Sequence, residues 1–205
     1  MTDLTLQVLV LRLAALVFIA AVHGFAIAAM AAALGDPGPR HDGRLSLNPL
    51  VHLDAVGTAS GVLFALGWIR PVAIDPAALK GGRLALALVP AIAGLATLAA
   101  AAALHAARPL LLPLLPDTAS TSAYVLVDIV EELSVWFALV NLVPLPPLTG
   151  TLIAVATSGS KALAGIVQRC HTAAGIVLAL VAASGLVTRA ATPLHDAVAR
   201  FLFGG

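Results

Sequence analysis

Three carboxylates, Asp128, Glu131 and Glu132, lie inside the apolar run from Tyr124 to Leu142. A charge at mid-membrane depth costs about 2.5–3.5 kcal/mol on insertion scales, so such groups need a partner or water. Their i, i+3, i+4 spacing places them on one helix face. A proton relay would require further intramembrane acids, and Asp54 is the one candidate. Asn141 follows Glu132 by nine residues, about 180° around a helix of 3.6 residues per turn. With Asn141 pointing inward, the acidic face points outward, toward a second subunit carrying Lys, Arg or hydrogen-bonding groups. Placed near a helix N-terminus, the same cluster can instead be hydrated among headgroups and favoured by the helix dipole. A second set of candidates is His23, within the first apolar run, with His52 and Asp54. On an α-helix His52 and Asp54 stand about 200° apart and cannot grip one ion, whereas extended backbone turns i and i+2 to the same side. The stretch Thr157-Ser158-Gly159-Ser160 has no His at a motif-like spacing and reads as a loop, not as a serine nucleophile. His105, His171 and His195 sit near the ends of apolar runs and read as interfacial, as does Trp68.

The elements that position these residues are membrane helices. Of 205 residues, 60% are hydrophobic and 10% charged, where a soluble domain carries about 25% charge. A net charge of +1 from basic and acidic residues spread along the chain leaves no basic patch for nucleic acid. One cysteine, Cys170, excludes an internal disulfide and a paired-cysteine zinc knuckle. A helix needs about 20 apolar residues to cross a bilayer, and Leu6–Leu34, Leu84–Ala107, Ala123–Leu142 and His171–Thr188 supply them. The first run is too long for a signal peptide and no early positive charge precedes it, so it reads as a retained span. Leu50–Ile69 is apolar but holds His52, Asp54, Gly and Ser, which predicts a broken or re-entrant fifth segment. The expected architecture is an all-α integral membrane protein of about five transmembrane helices in one polytopic domain over residues 1–205, with a C-terminal span at about 171–188. Five basic residues fall on each side of such a bundle, so charge bias leaves its orientation open.

Two stretches are more particular. From His23 the chain reads HGFAIAAMAAALGDPGPRHDGRLSLNPLVHLDAVGT, then GWIRPVAIDP; from Asn141 it reads NLVPLPPLTG. In order and spacing these blocks resemble the compact bacterial branch of the site-2 protease family, intramembrane zinc metalloproteases with HExxHxxxAxxxGDPTAxxxGRLTLNPLxHIDPxGT, FGWAKPVPVNP and FNLLPIPPLDG. The resemblance runs from about Leu11 to about Gly150.

What it implies depends on the residues kept. In the family, two His at i and i+4 of HExxH bind zinc, the Glu is the general base on zinc-bound water, and the Asp of LPPLDG is the third ligand. Here His23 stands at the first His, Gly24 at the Glu, Ile27 at the second His and Thr149 at the Asp. A GPxSN stretch of the family's third helix corresponds to Val89-Pro90-Ala91-Ile92-Ala93, which lacks the Asn. His52, Asp54 and Asn141 remain as residual polar groups of the cleft. A catalytic zinc needs about three protein ligands and an open position, so the resemblance implies a retained scaffold with no metal and no cofactor. The expectation is a chain that is not an enzyme: a structural or assembly subunit of a hetero-oligomeric complex in the bacterial inner membrane, touching other integral membrane proteins and lipids, with Asp128, Glu131 and Glu132 as contact residues. The alternative is an active intramembrane zinc metalloprotease with atypical ligands, such as His23, His52 and Asp54. A carrier or channel would show a pair of broken helices lined by polar groups, which the sequence lacks.

Overall fold

A computed structural model describes residues 5–159 and 161–204; Ser160 of the stretch read as a loop lies outside them. The Thr5 hydroxyl caps α1 (Leu6–Ala33), accepting from the Val8 amide at 3.3 Å. The buried residues of α1 fall at Ala15, Leu16, Ile19, Ala20, His23, Gly24, Ile27, Ala28 and Ala31, a stripe repeating every four residues. His23 belongs to that stripe and must therefore face the protein. Small residues in the stripe let neighbouring helices approach closely. A short α2 (Gly38–His41) follows, and then a single turn at Pro49–Val51.

The broken fifth segment is present as expected. Asp54 caps α3 (Ala55–Phe64), its Oδ1 accepting from the Gly57 amide at 2.7 Å. Ten residues rise about 15 Å, half of a hydrocarbon core of about 30 Å. Ala65 ends the helix in the left-handed conformation at φ 63°, and the chain doubles back so that Leu53 pairs antiparallel with Ile69. Gly57 allows this return, because a Cβ there would lie 2.4 Å from the Trp68 carbonyl oxygen.

The long helices α4 (Gly82–Leu111) and α5 (Asp117–Val140) pack with α1 around a core that includes Ile19, Ile27, Val89, Leu133 and Phe137. Gly94 of α4 meets Ala138 of α5 closely, at 3.7 Å between the Ala Cβ and a Cβ built on the glycine. After α5 a proline-rich turn leads to α6 (Thr151–Ser158), then α7 (Lys161–Ala183) and α8 (Leu186–Phe203). Among the described residues two helices are long and apolar enough to cross a membrane, Leu6–Ala33 and Gly82–Leu114. The pair Arg169–Ala183 and Leu186–Phe203 makes a third if its 75° bend is counted within one span. The chain is thus an all-α membrane protein. The helix expected at 123–142 is present and central, but its three carboxylates set it apart from the purely apolar spans; the segment expected at 171–188 is broken at Ser184-Gly185.

Candidate functional site

The helix stripe carries His23 to the centre of the fold, where it is fully buried. Its Nδ1 lies 3.0 Å from Thr97 Oγ1 on α4, and its Nε2 lies 3.2 Å from Thr149 Oγ1 in the turn after α5. Each hydroxyl has a second acceptor: Thr97 donates to the Ala93 carbonyl at 2.8 Å and Thr149 to the Asn141 carbonyl at 3.0 Å. A neutral imidazole brings one ring proton and each threonine one more. Three protons serve four close contacts, so one carbonyl gives up its hydroxyl whichever tautomer is present. The Asn141 amide donates to the carbonyls of Gly67 at 2.9 Å and Phe137 at 3.0 Å, tying the turn after α5 to the return from α3. The Phe137 ring meets His23 edge-on, with centroids 5.0 Å apart. His23, Thr149 and Asn141 thus form one network, as their positions in the resembled motifs suggest.

Gly24 and His52 form the second contact. A Cβ at Gly24 would lie 2.2 Å from His52 Nδ1 and 2.4 Å from its Cγ, so the imidazole occupies the space a side chain at position 24 would need. The His52 Nε2 donates to the Ser46 carbonyl at 2.8 Å, while Nδ1 is buried with no partner. Burial is the main cause that holds the His52 imidazole below the usual histidine value; the Ser46 contact opposes it, and the Arg44 charge adds to it. The fold therefore prefers neutral His52, and that contribution is present above about pH 6.5 and lost as the pH falls below it. Thermal unfolding in detergent between pH 7.5 and pH 5 is expected to show falling stability with a shallower slope in His52→Asn; an unchanged slope in the variant would remove His52 as a cause.

Ile27 and Thr149 line a cavity of about 340 Å³ with Val72, Ala73, Leu148 and Thr151. Residues 71–74 form an irregular wall of it, and among the described residues no hydrogen bond reaches the backbone of Val72, Ala73 or Ile74. Thr151 Oγ1 is likewise buried without a partner. Asp54 is turned away from His23. Its Oδ1 also accepts from Trp68 Nε1 at 3.1 Å, and its Oδ2 lies 3.1 Å from His171 Nε2. Of the residues read as interfacial, Trp68 is buried within the protein and His171 of α7 lies beside the cap of α3.

Of the three carboxylates expected on an outward face, Asp128 and Glu132 are exposed and Glu131 is not. Glu131 is buried, accepting from Arg108 at 2.6 Å with His105 Nδ1 at 2.9 Å, and Asp128 accepts from Arg108 at 2.5 Å. Arg108 in turn lies over the Tyr124 ring, 4.8 Å from its centroid. The partner of Asp128 and Glu131 is α4 of the same chain. His195 stacks on Trp136 with centroids 4.4 Å apart, seating α8 on α5.

The zinc implied by the resemblance does not fit these residues. Both nitrogens of His23 already face threonine hydroxyls, and among the described residues no three His, Cys, Asp or Glu side chains group around a point where a metal ion could sit. The set His23, His52 and Asp54 is not assembled.

Fold and site together define a helical membrane protein with a cleft between α1, the 71–75 wall and α6, one of whose lining residues, Thr149, contacts the buried His23. Over 136 residues the chain is 33% identical to a protein of Bacillus subtilis (strain 168) named "Putative zinc metalloprotease YwhC"; the match takes in 63% of this chain and spans 60% of that protein's length. No family model matches the chain, and no solved structure does. The similarity overturns the expectation that the chain is not an enzyme: the relative carries the name of a zinc metalloprotease, which points toward a protease.

Proposed function

We propose that this chain is a site-2-protease-like, multi-pass protein of the bacterial cytoplasmic membrane that holds an extended stretch of another integral membrane protein in its cleft, within a hetero-oligomeric complex. The observation that carries this reading is the cavity of about 340 Å³ lined by Thr149, which contacts His23. Its wall offers unpaired backbone at Val72–Ile74 and an unpaired Thr151 hydroxyl among apolar side chains. Unpaired backbone pairs with an extended chain laid along it, while apolar pockets take alternate side chains. A helix unwound inside a membrane has backbone groups that cannot stay unsatisfied in lipid, and this wall supplies partners for them.

A second reading, peptide-bond hydrolysis on the held segment, is favoured by the name of the relative. One experiment addresses both. A photoreactive amino acid is placed at Ala73 or, as a lipid-facing control, at Leu95. The purified protein is mixed in detergent with a synthetic apolar transmembrane peptide containing a helix-breaking Asn-Pro step, or with its all-helical counterpart. The expected result is crosslinking at Ala73 to the unwound peptide at least fivefold above either control. Equal labelling at the two positions, or equal labelling of the two peptides, overturns the holding role. Products of defined length in the same mixture would support the hydrolytic reading, and an intact peptide after crosslinking would remove it.

A further inference from the structure

Next to the cleft, and sharing with it the wall Pro71–Ala73, lies an open depression of about 630 Å³ lined also by Asp42, Arg44, Leu50, Arg70 and His171. Arg44 is only 7% exposed. One arm of its guanidinium donates to the Val51 carbonyl and the other to the Arg70 carbonyl at 2.6 Å, and its Nε is buried with no partner. These contacts satisfy protons but supply no counter-charge. Among the described residues neither Arg44 nor Arg70 makes an ion pair. The Arg70 side chain is exposed at the same depression, and it brings a second positive charge where the first already lacks a partner. A buried charge is costly unless paired. Burial first, and then the like charge of Arg70, pushes the Arg44 guanidinium below its ordinary value against the opposing pull of Asp42. His171, the other basic group of the depression, is already taken by Asp54.

We propose that this depression binds one phosphate group between Arg44 and Arg70. Guanidinium groups suit this ligand, since their planar array of donors matches a phosphate's oxygens and their charge persists at every physiological pH. Leu50 stands at the rim, 72% exposed, where an acyl chain attached to such a phosphate would lie. The phosphate can belong to an anionic lipid headgroup or be free in solution. This inference uses no part of the peptide-holding reading, and it stands or falls separately.

The test uses the full chain in mild detergent and compares it with Arg70→Gln and Arg70→Lys. Arg70 is exposed, so its replacement leaves the fold intact where Arg44→Gln removes two contacts to carbonyls. Native mass spectrometry after exposure to mixed phosphatidylglycerol and phosphatidylcholine reads lipid retention; thermal melting in inorganic phosphate against chloride at equal ionic strength reads the free anion. With a lipid ligand, phosphatidylglycerol is retained at one per chain in preference to phosphatidylcholine, and Arg70→Gln loses it at least tenfold while Arg70→Lys keeps part of it. With free phosphate, the anion raises the melting temperature of the parent protein and not of Arg70→Gln, and the two lipids are retained equally. Parent and Arg70→Gln behaving alike in both arms overturns the proposal.

Discussion

Replacing Arg108 with methionine is expected to lower the stability of the protein in detergent by about 3–5 kcal/mol, the usual cost of breaking a buried pair by removing one partner. Arg108 is the shared cation of Asp128 and Glu131, and its side chain and that of Glu131 are 12% and 11% exposed. Methionine keeps the aliphatic stem of the side chain and removes the guanidinium with its bonds to Asp128 and Glu131. Without Arg108 the Glu131 carboxylate retains only His105 Nδ1 at 2.9 Å. The control is Arg108→Met with Glu131→Gln, in which no unpaired charge is left in the apolar interior. That double variant is expected to recover most of the loss, because replacing both partners of a buried pair is often close to neutral. Melting temperatures of the four proteins form the cycle. A single variant as stable as the parent would mean that the cluster is solvated and that α4 and α5 are held by apolar packing.

This cluster also marks where sequence reasoning stopped. The three carboxylates were visible as an unusual set on one helix face, and Arg108 was visible at the end of α4. Their pairing was not, because it depends on helix register. A symmetric hairpin about the connection at 112–116 would set Arg108 beside residue 120 or so; it meets residues 128 and 131 instead, about two to three turns further along α5. The first turns of α5 overhang the end of α4, and nothing in local periodicity encodes that offset. His105 and Arg108 at i and i+3 were the available signal, a basic pair on one face to match an acidic pair. By contrast, the inward position of His23 follows from a stripe of buried small and branched residues, and the short α3 follows from His52, Asp54 and the glycines that interrupt an apolar run. Asp54 shows a third case. Read as a possible ligand, it serves as the cap of α3; an Asp directly before Ala-Val-Gly-Thr carries that signal in the sequence. Thr149 was legible as a departure at a family position, but its bond to His23 crosses 126 residues and needed the fold.

Gly24→Ala carries the second large effect, and it probes the part of the site that most separates this chain from the motif it resembles. One added methyl is minor on an exposed helix and even favourable to helix formation. Here it would lie 2.2 Å from His52 Nδ1, well inside contact distance, so the imidazole must leave. It cannot leave freely: its Nε2 is fixed at 2.8 Å to the Ser46 carbonyl, its own carbonyl accepts from the Arg70 amide at 2.8 Å, and Arg44 donates to the neighbouring Val51 carbonyl. The expected cost is about 1–3 kcal/mol, as for overpacking a filled core, read as a lower melting temperature. His52→Ala removes the obstacle. Adding Gly24→Ala to His52→Ala is therefore expected to cost little or nothing, and that non-additivity is the signature of direct contact. Equal effects of Gly24→Ala in both backgrounds would place the strain elsewhere on α1. In this chain the ring rests against the glycine, and a side chain at position 24 would require that ring to move.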